Sequence, residues 1–482
     1  MTMRFDLDSE TRRELGHQLI DHIDNYFSSL SERPVQLPSD ARSFVPLRDP
    51  LPEAGEDAGK LLDEICHDLV EKGFHVPSAN YFGLMNPTPA YMAVLAEALV
   101  AALNPQLASL ARSQLASKIE LETMRWIGER VGWPGKFSGT FTSGGNEANF
   151  SGLALALAAK FLQVVEEGVT SIGSEPVAYT SAEAHHSLDK SAGLLGIGRK
   201  ALRRIAVNEN AQLDPQKLKD AIHEDIAAGR KPFCVIATAG TTNSGAVDDL
   251  AAISEICRRH DLWLHVDGAY GAAAIFSEHH RNLVRGIERA DSLTLDPHKW
   301  LAMPFSAGVI LTRHPQMLNR AFSVPTPYMP RATASRLPDN FGISAQWSRR
   351  MNSLKLWLTL RVHGRKAYEE LIGKQLELAK SFAAWIKTSE HFELAAPQVL
   401  PIVAFRLKTP ELSPQQLTDL HSEVVEEVTR NGQRWISQTA VNGGSALRMM
   451  VISYLTEERH LHDLQSALAQ AAERLAVGTK LR

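Results

Sequence analysis

A chain of 482 residues with 44% hydrophobic content is long enough to bury a large core and to form two or three domains. Its formal charge of -4 leaves no basic excess, which argues against nucleic acid or an anionic membrane as the main partner and favours small-molecule chemistry. Cys66, Cys234 and Cys257 are odd in number, far apart and without a CxxC pair, so neither a disulfide framework nor a metal site is indicated. The charged opening of residues 1–6, and the lack of any apolar run near the roughly 20 residues a span requires, predict a cytoplasmic protein.

Residues 9–31 place Leu15, Leu19, Ile20, Ile23 and Phe27 at three- and four-residue spacing, which predicts an amphipathic helix. Residues 33–58 then gather Pro34, Pro38, Pro46, Pro50 and Pro52 in an extended crossing. This arm and strap would pack either on another subunit or on its own domain. A helix is predicted over 60–72. The aromatic, proline-rich stretch 80–89 follows as a loop in which Tyr81 and Phe82 line a pocket or plug a core. Helices over 90–103 and 115–131 come next, the second closed by Gly132-Trp133-Pro134-Gly135.

Gly139-Thr140-Phe141-Thr142-Ser143-Gly144-Gly145-Asn146 then reads as a strand, a glycine turn and a helix start. The converging N–H groups and the helix N-terminus suit a phosphate, although the same turn serves as an ordinary cap. Without the Walker lysine or the spaced Rossmann glycines, a small phosphorylated cofactor fits better than a nucleotide.

From here apolar strands alternate with helical segments, as in a doubly wound parallel sheet. Strands are predicted over 177–180, 202–207, 233–239, 262–266, 292–295 and 307–311. After four of them come Ala184-His185-His186-Ser187, Gly240-Thr241-Thr242, Asp267-Gly268-Ala269-Tyr270 and Asp296-Pro297-His298-Lys299-Trp300. In a parallel sheet such ends share one rim, where ligands bind. Pro297 stops its strand and puts Lys299 just past the end, beside Trp300. Shielded there, the ammonium is disfavoured and the amine becomes a nucleophile; the alternative is a surface lysine.

An aldehyde on a pyridine ring with a phosphate handle gives each group a task. Lys299 forms the imine, Ser143, Gly144, Gly145 and Asn146 hold the phosphate, and Asp267 keeps the ring nitrogen protonated. Ala269 lets the ring lie flat and His185 stacks on its other face. Taken singly, Asp267 reads equally as a strand-end cap and His185 as a solvated loop histidine. The joint order of the four strand ends points to the cofactor.

Past residue 311 the stretch 323–342 is a long proline-rich loop, and Arg349-Arg350 introduces a helix through Leu354, Leu356, Trp357 and Leu360. A strand (402–407), a helix (414–429), a strand (448–453) and a final helix (457–475) make a small α+β unit. The predicted division is an N-terminal helical arm (1–85), a large α/β domain (86–384) and a small C-terminal α+β domain (385–482).

The stretches 142–149, 184–187, 237–242, 265–270, 296–300 and Arg349-Arg350 with Leu354-Lys355-Leu356-Trp357 resemble, in family order, the group II pyridoxal-phosphate-dependent amino-acid decarboxylases. The resemblance implies pyridoxal 5'-phosphate as cofactor, the fold type I architecture with a mostly parallel sheet, and a homodimer with active sites at the interface. It carries over Lys299 as the lysine that binds the cofactor, Asp267 as the pyridine partner, His185 as the stacking residue, and Thr242 with His298 near the cofactor. It makes Tyr328, in the proline-rich loop, the proton donor. In two places the chain departs from the aromatic-specific members. Asp296 stands where they have an asparagine, and 106–117 lacks their pocket aromatics and offers Arg112. The expected reaction is decarboxylation of an L-amino acid, aromatic if Tyr81 and Phe82 line the pocket and acidic if Arg112 reads the substrate. An aldehyde synthase on the same fold is the rival, disfavoured by the presence of both His185 and Tyr328.

Overall fold

The computed structural model describes residues 6–41, 50–133, 135, 137–326, 339–408 and 412–479. Helix α1 (Ser9–Ser29) opens on Asp8, whose carboxylate accepts from the Thr11 N–H, and α2 (Ala58–Glu71) opens in the same way on Asp57. The α3 (Tyr91–Leu103) and α4 (Gln114–Val131) helices both end on left-handed residues, Asn104 and Gly132. Among the described residues no helix is long and apolar enough to cross a membrane.

A seven-stranded sheet forms the centre: β1 (Ser138–Thr142), β2 (Pro176–Ser181), β3 (Leu202–Ile205), β4 (Lys231–Thr238), β5 (Trp263–Asp267), β6 (Ser292–Leu295) and β7 (Gly308–Thr312). Its order is β1-β7-β6-β5-β4-β2-β3. Pairs from β6 to β3 are parallel, while β7 runs antiparallel to both β6 and β1. The architecture is therefore α/β with a mostly parallel sheet, as predicted, but its sixth predicted strand is reversed. The link between β6 and β7 contains no helix to carry a parallel crossover. Both faces of the central strands are covered, so β5 and β6 are buried along their whole length.

A second sheet, order β10-β11-β9-β8, is antiparallel throughout: β8 (Phe392–Leu394), β9 (Ile402–Leu407), β10 (Ser437–Val441) and β11 (Gly444–Met450). Its core packs Phe392, Phe405, Leu447 and Met449 against the helices Pro414–Thr429 and Glu458–Thr479. The helix Ser353–Thr388 joins the two layers and is broken at Gly364, whose φ is +71°. Its residues Ile372 and Leu376 belong to the first core, and Phe382 and Ile386 to the second.

Both aromatics predicted to line the pocket, Tyr81 and Phe82, belong to this packing instead. Phe82 is fully buried in the core of the second sheet, and Tyr81, 2% exposed, stacks on Trp435 at 5.5 Å. The Tyr81 hydroxyl accepts from the Leu84 N–H at 3.0 Å. The expectation that these rings line the ligand pocket is corrected, because their faces are already covered by protein.

Candidate active site

The C-terminal ends of β1, β2, β4, β5 and β6 meet at one rim. A cleft of about 360 Å³ opens there, lined among others by Lys299, Asp267, His185, Asp296, His298 and Thr242. Lys299 is held in place by its neighbour. Trp300 is buried, donates to Gln375 Oε1 at 2.7 Å and stacks on Tyr270 at 5.1 Å, an aromatic pair worth about 1 kcal/mol beyond its buried area. With Trp300 pointing inward, the Lys299 side chain turns to the cleft, where Nζ pairs with Asp296 Oδ2 at 3.0 Å. This ion pair with Asp296 carries no signal in the sequence pattern, and the indole of Trp300 faces Gln375 and Tyr270, not the amine.

Asp267 closes β5, 6% exposed, and accepts from Asn149 Nδ2 at 2.8 Å and from the Ala269 N–H at 3.1 Å. Across the cleft, His185 Nδ1 accepts from the Ser187 N–H at 3.2 Å, and the surrounding walls lower its pKa by desolvation. The ring is therefore neutral near pH 7, with its hydrogen on Nε2. Burial also lowers the pKa of His298, whose Nδ1 lies 2.6 Å from the Ala307 carbonyl oxygen.

At the start of α5 (Gly145–Lys160) the glycine turn leaves N–H groups free. Among the described residues nothing accepts from the N–H of Gly144, Gly145 or Asn146. A Cβ on Gly145 would fall 2.6 Å from Asp296 Oδ2, so backbone and carboxylate approach as only glycine allows. Ser143 is different. Its N–H and hydroxyl both donate to Glu147 Oε2, at 2.8 and 2.7 Å. The same oxygen accepts from Gln346 Nε2 at 2.6 Å. Ser143 therefore lines the cleft with its donors engaged by the protein, and the cradle's open donors come from the next three residues.

Arg112 is exposed between α3 and α4, outside the cleft of its own chain. Tyr328 lies outside the described residues. Several neighbours of the site carry no signal in the sequence, among them Phe305, Lys355 and Arg448. Phe305, 56% exposed, lines the cleft and packs on His298 at 4.5 Å, while Lys355 donates to the carbonyls of Pro304 and Ser306 on either side of it. Behind Thr242, Arg448 is 3% exposed and donates to the Thr242 carbonyl at 2.5 Å; burial pulls its pKa down to about 10.

The chemistry of this donor set fits pyridoxal 5'-phosphate. The N–H cradle is open to a phosphate, an amine projects into the cleft, and a carboxylate faces it from the neighbouring strand end. Asp296 Oδ1 is buried and has no hydrogen-bond partner among the described residues, which leaves it open to a polar group of the cofactor. A parallel sheet that gathers these groups at its strand ends defines a pyridoxal-phosphate enzyme of fold type I.

Comparison with known proteins places that class further. Residues 38–408 match the family described as the pyridoxal-dependent decarboxylase conserved domain. The chain is 32% identical over 481 residues to an aromatic-L-amino-acid decarboxylase of Bacillus atrophaeus, covering 99% of this chain and 98% of that one. A phenylacetaldehyde synthase of Arabidopsis thaliana is 28% identical over 484 residues, covering 98% and 96%. Among solved structures, Oryza sativa TDC with PLP and tryptamine shares the fold at a TM-score of 0.90 and 24% identity, covering 98% of this chain and all of that one. The chain belongs to the group II pyridoxal-phosphate-dependent amino-acid decarboxylases.

Proposed function

We propose that this decarboxylase acts on an L-amino acid with an aromatic side chain, releasing the amine and CO₂. The observation that carries the reading is the full-length similarity to an aromatic-L-amino-acid decarboxylase. The cleft supports it: Phe305 and Met85 provide apolar wall, and among its described lining residues no arginine stands ready for a side-chain carboxylate. The acidic-substrate alternative relies on Arg112, which lies outside the cleft of its own chain and would reach a substrate only from the second copy.

When bound, the cofactor supplies a protonated ring that accepts the electron pair left behind as CO₂ departs. Lys299 would hold its carbonyl carbon, and the N–H groups of Gly144, Gly145 and Asn146 would hold its phosphate, in a cleft that His298 and Asp296 also line. Asp267 keeps the proton on the ring nitrogen by charge. His185, Ala269 and Thr242 line the same cleft and would bound the ring, neutral His185 with its Nε2–H available as a donor. The Tyr328 hydroxyl returns a proton to Cα.

The same reading includes a homodimer with active sites at the interface. Leu61, Ile65 and Leu69 follow one another at four-residue spacing on α2 and are 47 to 67% exposed in the single chain, an apolar face suited to a second copy. The Arabidopsis relative keeps an aldehyde synthase as a second reading, in which O₂ is consumed and aldehyde, ammonia and hydrogen peroxide accompany the CO₂.

Incubating the holoenzyme with each of the twenty amino acids and dihydroxyphenylalanine, and measuring CO₂, amine and oxygen uptake, tests both readings. Equimolar amine and CO₂ from an aromatic acid is expected. Preferred turnover of glutamate, aspartate or cysteine sulfinate would overturn the substrate class, and oxygen uptake matching CO₂ would overturn the product. Light scattering at micromolar concentration should give twice the chain mass; a monomer there would remove the dimer.

A further inference from the structure

The Asp267 carboxylate is the end of a buried chain of hydrogen bonds that the reaction as described leaves unused. A carboxylate only accepts, so the Asn149 amide must face it with its NH₂ and turn its Oδ1 away, toward His265 Nε2 at 3.0 Å. That oxygen also only accepts, so His265 carries its hydrogen on Nε2. Its Nδ1 is then the acceptor for the Ser292 hydroxyl at 2.8 Å, and Ser292 Oγ accepts from Trp263 Nε1 at 2.8 Å. Every donor along Trp263, Ser292, His265, Asn149 and Asp267 points toward the carboxylate.

None of the five is more than 6% exposed, so water does not compete for these bonds. Room for the chain is built into α5. A Cβ on Gly152 would lie 2.3 Å from the His265 ring, so glycine is what lets the imidazole reach Asn149 beneath the helix. Burial brings the His265 pKa down to about 4, which keeps the ring neutral as the donor order requires. Thr294 Oγ1, 3.3 Å from Nε2, offers the same hydrogen a second acceptor.

Resting on the reading that Asp267 faces the ring nitrogen of the cofactor, we infer that Asn149 and His265 are positioning residues that keep the proton shared by that nitrogen and Asp267 on the ring. A hydrogen bond donated to a carboxylate stabilises its ionised form over its protonated one. With Asn149 donating, Asp267 is the weaker base of the pair and the ring stays cationic. Without His265, the Asn149 amide is free to turn and present its oxygen, and Asp267 becomes a better proton acceptor.

The test is the ¹⁵N resonance of cofactor labelled at the ring nitrogen, recorded on folded holoenzyme at one pH. The wild type is expected at the pyridinium position. Asn149→Leu and His265→Phe should each move the resonance toward unprotonated pyridine. His265→Gln, whose amide again supplies a donor to Asn149 and an acceptor to Ser292, should return it toward the wild-type position. Wild-type resonances in both Asn149→Leu and His265→Phe would overturn the relay, since a residue that merely packs would change stability without moving this signal. Should one of the two fail to fold, the other alone decides. Asp267→Asn separates the claims. An unmoved resonance there means that Asp267 does not face the ring nitrogen; a moved one, beside unmoved Asn149→Leu and His265→Phe, sinks the relay alone.

Discussion

Replacing Asp267 by asparagine keeps the shape of the strand end and removes only the charge. In the structure the carboxylate accepts from Asn149 at 2.8 Å and from Ala269 at 3.1 Å, and an amide oxygen can keep one of these bonds, so the fold should hold. What is lost is the attraction between the carboxylate and a protonated ring. Two unit charges about 4 Å apart at an effective dielectric of about 20 attract by about 4 kcal/mol. A neutral hydrogen bond retains about 1 kcal/mol of this. The remaining 3 kcal/mol or so corresponds to a fall of about 150-fold in kcat, because charge stabilisation matters most as the electron pair moves into the ring. Substrate binding does not use this charge, so KM should change by less than about threefold. Steady-state CO₂ release, with cofactor saturation checked by absorbance, measures both constants. A kcat within about fivefold of wild type would mean that Asp267 is a strand-end cap and nothing more.

Gly145→Ala should raise the cofactor Kd by about 5- to 150-fold in a fluorescence titration, since overpacking by one methyl costs about 1 to 3 kcal/mol and this Cβ would sit 2.6 Å from Asp296 Oδ2; an unchanged Kd would place the phosphate elsewhere. In Tyr328→Phe, CO₂ should still be released while amine per CO₂ falls and oxygen uptake appears. Wild-type amine yield and kcat would assign the proton to another group. For His265 the folded pKa of about 4 lies below the ordinary 6.5, so the unfolded chain binds the extra proton between those values. Its contribution is fully present above pH 6.5 and is lost as pH falls to 4, amounting to about 3 kcal/mol. Urea midpoints at pH 7.5 and 4.5 should therefore differ more in the wild type than in His265→Gln, and equal differences would contradict the assignment.

The site was legible where local chemistry is unambiguous. Pro297 ends β6, the Gly144-Gly145 turn opens α5, and Asp267 closes β5, because proline, glycine and strand-end acids act through their own backbone geometry. Direction and partners were harder. The burial pattern of β7 does not depend on which way it runs; only the short, helix-free link before it carried the signal. The hairpin of β10 and β11 turns on Asn442-Gly443, with φ of +52° and +75°, and the Asn-Gly pair is itself a hairpin signal in the sequence. Tyr81 and Phe82 show the limit of composition: an aromatic loop residue looks the same whether it faces a ligand or Trp435. Asn149 and His265 stood within recognised stretches without a task, and only their distances gave them one.

Borohydride reduction of the holoenzyme, followed by digestion and mass spectrometry, tests the central claim most directly, because reduction fixes the cofactor to whichever amine holds it. The cofactor should be found on the peptide carrying Lys299 and on no other, and Lys299→Ala should remain folded yet retain no covalent label. Labelling of a different lysine in the wild type, or undiminished labelling in Lys299→Ala, would contradict the placement of the cofactor in this cleft.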